Sequence, residues 1–126
     1  MKQRLNYASV SPDALKAMRE LEKYVAASGL ERPLYELVKT RASQINRCAY
    51  CLDMHTKDAR RAGETEQRLY ALSAWRETPF FTDRERAALE WTEALTLISE
   101  MMYLILYMKR LINILMKKKW LLYPWQ

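Results

Sequence analysis

The apolar residues of the first hundred positions recur at intervals of three and four, and this spacing restricts the chain to packed helices. Ser11, Pro12 and Asp13 mark a helix start, with a capping oxygen, a proline in the first turn and an acid at the positive end of the helix dipole. Leu15, Met18, Leu21, Tyr24 and Val25 continue the pattern and Gly29 stops it, which predicts a helix over 12–28. Pro33 opens a second helix, with Leu34, Leu37, Val38, Ala42 and Ile45 on one face. A third runs from about Cys48 to Ala62 and ends at Gly63. A short fourth covers 65–75 and leads into the loop Arg-Glu-Thr-Pro-Phe-Phe. Thr82 and Glu85 form a capping box for a fifth helix, continued by Leu89, Thr92, Leu95 and Ile98. No strand pattern competes, so the expected fold class is all-α, a helical bundle of about five to six helices.

A chain of 126 residues fits one domain. Small all-helical domains leave apolar surface that partners cover, which predicts a homo-oligomer. Half the residues are hydrophobic and only two are glycine, a composition that excludes a disordered chain. The opening residues have neither the apolar stretch nor the small-residue cleavage site of a secretory signal, so the expected location is cytoplasmic. The formal net charge of +6 is unevenly placed. Residues 1–100 are nearly neutral, whereas 101–126 hold five Lys or Arg and no acid. A nucleic-acid partner requires a basic face across the fold, and a basic tail does not supply one. The expected organisation is a helical domain over 1–100 and an atypical basic-hydrophobic tail, also helical, over 101–126.

Cys48, Cys51 and His55 are the chain's two cysteines and single histidine, and all fall within eight positions. On a helix Cys51 and His55 are four apart and share a face, with Cys48 two turns before His55 on the same side. A free thiol with a pKa near 8.5 is only about 3% thiolate at pH 7, and an imidazole or a helix N-terminus raises that fraction. His55 is placed to act on Cys51. Cys48, three residues earlier, is near enough to close a disulfide with it. Two other readings compete. A zinc site needs four ligands, and the chain has no second Cys/His pair. Two inert core cysteines beside a core histidine are also compatible with the spacing. The aromatic residues Trp75, Phe80, Phe81 and Trp91 read as core or interface. The alternating charges of Thr-Asp-Arg-Glu-Arg-Ala-Ala-Leu-Glu-Trp-Thr-Glu (82–93) read as a solvated helix face.

The segments ELVKTRASQINRCAYCLDMHTKDAR and LYALSAWRETPFFTDRERAALEWTEALT resemble the alkylhydroperoxidase D-like branch of the carboxymuconolactone decarboxylase family, over most of residues 1–100. The resemblance implies an all-helical oligomer and thiol-dependent reduction of a hydroperoxide in antioxidant defence. It also implies a dithiol reductant, a lipoyl or thioredoxin-like protein, and no cofactor or metal. By position it makes Cys51 the attacking thiol, Cys48 the resolving thiol, His55 the relay histidine and Glu36 the relay glutamate. Glu36 does not stand out by spacing, and without the resemblance it reads as an exposed helix acid. The rival functions are a non-catalytic helical oligomer or interaction protein, and a carboxymuconolactone decarboxylase-like lyase, a branch that does not depend on a Cys-x-x-Cys pair.

The tail from Met101 lacks Ala, Gly, Ser, Thr, Asp and Glu entirely. Its apolar run, Met101 to Met108, is far shorter than the roughly 20 residues that span a bilayer, so no membrane span is expected. Back-translated and read from the third base of the Met101 codon, the tail permits Asp-Val-Pro-Asp, then Tyr-Glu-Ala-Val, then Gln-Tyr-Phe-Asp-Glu. That series is similar to the way the family continues after EALTLISE, and the expectation is a single-base deletion near codon 101.

Overall fold

The computed structural model describes residues 5–99, with Lys109 and Ile112 beyond them. The proposed tail and the boundary at residue 100 therefore lie almost wholly outside the described residues. The chain divides into two compact units, Met1–Glu31 and Arg32–Gln126. Among the described residues every regular element is helical, and none is long and apolar enough to cross a membrane.

The first unit holds α1 (Tyr7–Val10) and α2 (Pro12–Ala26). Pro12 takes the first helical position, but the Ser11 hydroxyl makes no capping hydrogen bond, contrary to expectation. Ser11 serves two helices at once. Its own N–H donates to the Tyr7 carbonyl to close α1, and its backbone (φ −141°, ψ 71°) lies outside the extended geometry that aims a capping oxygen at the next turn. The apolar stripe of α2 is exposed at Met18, Leu21 and Tyr24.

The second unit comprises α3 (Arg32–Ile45), α4 (Ala49–Arg61), α5 (Glu66–Ala71), a 3-10 segment (Leu72–Glu77) and α6 (Asp83–Thr96). The predicted fourth helix is thus a short α-helix and a 3-10 turn, interrupted where Ala74 leaves helical geometry (φ −115°, ψ 29°). Thr65 caps α5 through the Arg68 N–H, and the Thr82–Glu85 capping box is fully formed. α3 is central, packing on α4 as well as on α6 and the 3-10 segment. Its Leu34 and Leu37 enter a core completed by Leu72, Trp75, Phe81, Ala88 and Leu89. Leu37, Leu72 and Leu89 are fully buried, each contributing on the order of 2 kcal/mol by removal from water.

The 82–93 segment is less solvated than its charge alternation predicts. Glu93 is buried, and its carboxylate accepts from Arg41 Nε (2.8 Å), Trp75 Nε1 (2.8 Å) and Arg76 Nη1. Burial alone pushes the Glu93 carboxyl up, but the hydrogen bonds from Arg76, Trp75 and Arg41 outweigh it and hold the group below the usual carboxylate range. Glu85 pairs with Arg68 (2.5 Å), which also grips Glu64 (2.8 Å) and stacks over Phe81 (4.7 Å). These long-range partners turn apparent surface charges into bolts between α3, α5, the 3-10 segment and α6.

Candidate functional site

The site is built where α3 hands over to α4. α3 ends in a two-bond C-terminal motif, in which Cys48 N–H donates to Ser43 O (3.1 Å) and Arg47 N–H to Gln44 O (3.2 Å). The motif needs a left-handed residue, and Arg47 supplies it at φ 53° where glycine is usual. The same device with Gly63 (φ 95°) ends α4, where Glu64 N–H donates to Ala59 O (3.0 Å). The reversal after Arg47 leaves Cys48 in extended geometry as the N-cap of α4, its sulfur accepting the Cys51 N–H at 3.3 Å. Cys48 thus has its backbone fixed by one helix and its side chain by the next.

Cys48 and Cys51 are joined in a disulfide across 5.3 Å between Cα atoms, and both residues are half-buried. The pair is therefore neither two separate inert core thiols nor sealed from solvent. His55 follows Cys51 by one helical turn, and its side chain is 14% exposed. Glu36 enters from α3 and is 1% exposed, which overturns its local reading as a surface acid. Its Oε2 lies 2.9 Å from His55 Nδ1. A carboxylate can only accept there, so Nδ1 carries the proton and Nε2 is the nitrogen left for chemistry on the other side of the ring. The structure thus brings together four residues from two helices: Glu36 bonded to His55, and His55 one turn from a disulfide it shares a helix with.

Sequence reasoning did not single out Arg32. Its Nη2 lies 2.5 Å from Glu36 Oε1 and 3.8 Å from Asp58 Oδ2. The contact to Oε1 is an ion pair without hydrogen-bond alignment, since that buried oxygen has no aligned donor. The i, i+4 spacing of Arg32 and Glu36 was the available signal.

The carboxymuconolactone decarboxylase family model matches residues 12–94, which include all four candidate residues. The chain belongs to this family. An uncharacterized Bacillus subtilis protein, YdfG, is 51% identical over 98 residues, covering 78% of this chain and 67% of its own length. An uncharacterized Escherichia coli protein, YnjA, is 40% identical over 68 residues, 53% of this chain and 37% of the relative. A crystal structure from Agrobacterium tumefaciens, of a protein of unknown function described as a candidate AhpD antioxidant defence protein, superposes with a TM-score of 0.82. It is 46% identical, and the match covers 89% of this chain and 77% of that one. Within the family, the AhpD-like fold is therefore the one this chain adopts.

Proposed function

We propose that the chain is a thiol-dependent peroxidase that cycles through the Cys48–Cys51 disulfide. The observation that carries this reading is the placement of that disulfide one turn from a histidine whose Nδ1 is held by a buried carboxylate. In the reduced protein, Cys51 thiolate attacks the terminal oxygen of a hydroperoxide. The O–O bond breaks, the alkoxide takes a proton from His55 and leaves as an alcohol, and Cys51 becomes a sulfenic acid. Cys48 thiolate then attacks the Cys51 sulfur, and the hydroxide it expels leaves as water with a second proton delivered through His55. A dithiol, from a lipoyl or thioredoxin-like protein, returns the disulfide to two thiols and is itself oxidised. Glu36 holds and orients the imidazole in each step.

A disulfide that must be reduced every turnover fits a reducing compartment, so the proposed location is cytoplasmic. The exposed apolar side chains Met18, Leu21, Tyr50 and Tyr70 support a homo-oligomer. The decisive assay follows peroxide consumption with a dithiol reductant in wild type and Cys51→Ser. Consumption that depends on Cys51 is the expected result. Rates equal to the uncatalysed background, or unchanged in Cys51→Ser, would sink the proposal.

A further inference from the structure

We infer that Arg32 is a positioning residue for the thiol site, acting through Glu36 to hold the His55 ring beside Cys51. The inference rests on the thiol reading above and deepens it by naming what sets the reactivity of that site. Arg32 is the first residue of α3, and a cation there faces the positive end of the helix dipole. Its order relative to Glu36 is also the weaker one for an i, i+4 pair, with the base ahead of the acid. Helix stability by itself therefore gives no reason for an arginine at this position. The carboxylate one turn later does.

Glu36 is 1% exposed, and desolvation disfavours its charged form unless cations face it. The charged and titratable groups at this point are Arg32 on its own helix and His55 and Asp58 on α4. His55 faces only one of the two carboxylate oxygens. Arg32 sets a permanent charge 2.5 Å from Oε1, while Oε2 is left for the imidazole, so the two partners fix the carboxylate from opposite sides. The Arg32 side chain is 56% exposed, so the cation itself remains hydrated; the Tyr35 ring lies 5.3 Å away and Asp58, itself paired with Arg61 at 2.7 Å, lies 3.8 Å away. The result is a line of charge from surface to site: Asp58, Arg32, Glu36, His55.

The test uses the reduced full-length protein and iodoacetamide, with the rate of Cys51 labelling followed against pH by peptide mapping. Arg32→Met is expected to move the labelling midpoint to higher pH and slow labelling at pH 7 about 3- to 10-fold. Arg32→Lys, which keeps the charge, should stay within about twofold of wild type. In a Glu36→Gln background Arg32→Met should add nothing, because the carboxylate it acts through is gone. Coincident wild-type and Arg32→Met curves would overturn the inference, as would an equal shift in the Glu36→Gln background. Arg32→Gln is read by the same criteria if Arg32→Met does not fold. Failure of both to fold would make Arg32 a structural clamp and end the proposal. Peroxide turnover is not read here, so an absence of peroxidase activity would remove the proposed function while leaving this result standing.

Discussion

Replacing Glu93 with alanine removes the acceptor shared by three donors from two different elements. Trp75 is 4% exposed, and leaving its indole N–H unpaired costs about 1–3 kcal/mol. Arg41, 15% exposed, loses the contacts of Nε and Nη2 to Oε1 at 2.8 and 2.7 Å. Breaking a buried ion pair on one side costs about 3–5 kcal/mol, and Arg41 falls at the low end because Nη1 keeps its bond to Gln44 (3.0 Å). Arg76 is 44% exposed and rehydrates at little cost. These costs overlap, so the expected loss is about 3–4 kcal/mol, a fall in Tm of roughly 10–15 °C for a chain of this size. Glu93→Gln keeps an acceptor for Trp75 and should lie between alanine and wild type. The pH dependence has a definite sign. The folded Glu93 titrates below its unfolded value near 4.5, so its stabilisation is complete above that value and is lost as pH falls through the folded one. Urea unfolding of wild type and Glu93→Gln from pH 7 to pH 3 should show a gap that closes in acid. A gap constant down to pH 3, or an alanine variant within 1 kcal/mol of wild type, would refute the argument.

Four further outcomes are expected. In the reduced protein, His55→Ala should slow iodoacetamide labelling of Cys51 near neutral pH by about tenfold or more, with a smaller effect for Glu36→Gln; superimposable pH profiles would make His55 a packing residue. Arg47→Gly should stabilise the protein by about 0.5–1 kcal/mol and Gly63→Ala should destabilise it by about 1 kcal/mol, since both residues sit at positive φ in the same helix-ending motif; chemical denaturation giving the opposite signs would remove the strain argument. Light scattering at micromolar concentration should find an oligomer, and a monodisperse monomer would contradict the reading of the exposed apolar side chains. Sequencing the encoding DNA should reveal the Asp-Val-Pro-Asp continuation in the shifted frame beyond codon 101, and a reading frame without it would dispose of the deletion.

Helices were legible wherever their ends were punctuated by local chemistry. Pro33, the Thr82–Glu85 box and Gly63 each act on backbone groups within four positions, and the structure places helix ends there within one or two residues. Ser11 misled because the same residue closes the preceding turn, a competition that a capping rule applied to one helix cannot register. Cys51 and His55 were legible because they share one helix and one period, with Cys48 at the N-cap just before it. The charged residues were not. Glu93 meets Arg41 across 52 positions and Arg68 meets Glu85 across 17, so their burial follows from tertiary contacts that no local alternation of charge encodes. Glu36 belongs to the same class: its position came from the family resemblance, and its burial only from the packing of α3 on α4.

The two buried glutamates of α3 and α6 differ in how completely their oxygens are bonded. Glu93 is saturated, with donors from Arg41, Trp75 and Arg76 distributed over both oxygens, so adding a proton would break bonds already made. Its function is complete in the folded ground state. Glu36 is just as buried but has one hydrogen bond, to His55, and an ion pair to Arg32 that leaves Oε1 without an aligned donor. Fewer bonds oppose a change at Glu36, and the one bond it makes goes to the only side chain in the chain whose ordinary titration range lies near neutrality. Under the proposed thiol chemistry a carboxylate bonded in this way orients the imidazole beside Cys51, a role for which a saturated one has no oxygen to spare. The contrast also explains why the two should respond differently to substitution: loss of Glu93 should appear mainly in stability, and loss of Glu36 mainly in the pH dependence of Cys51.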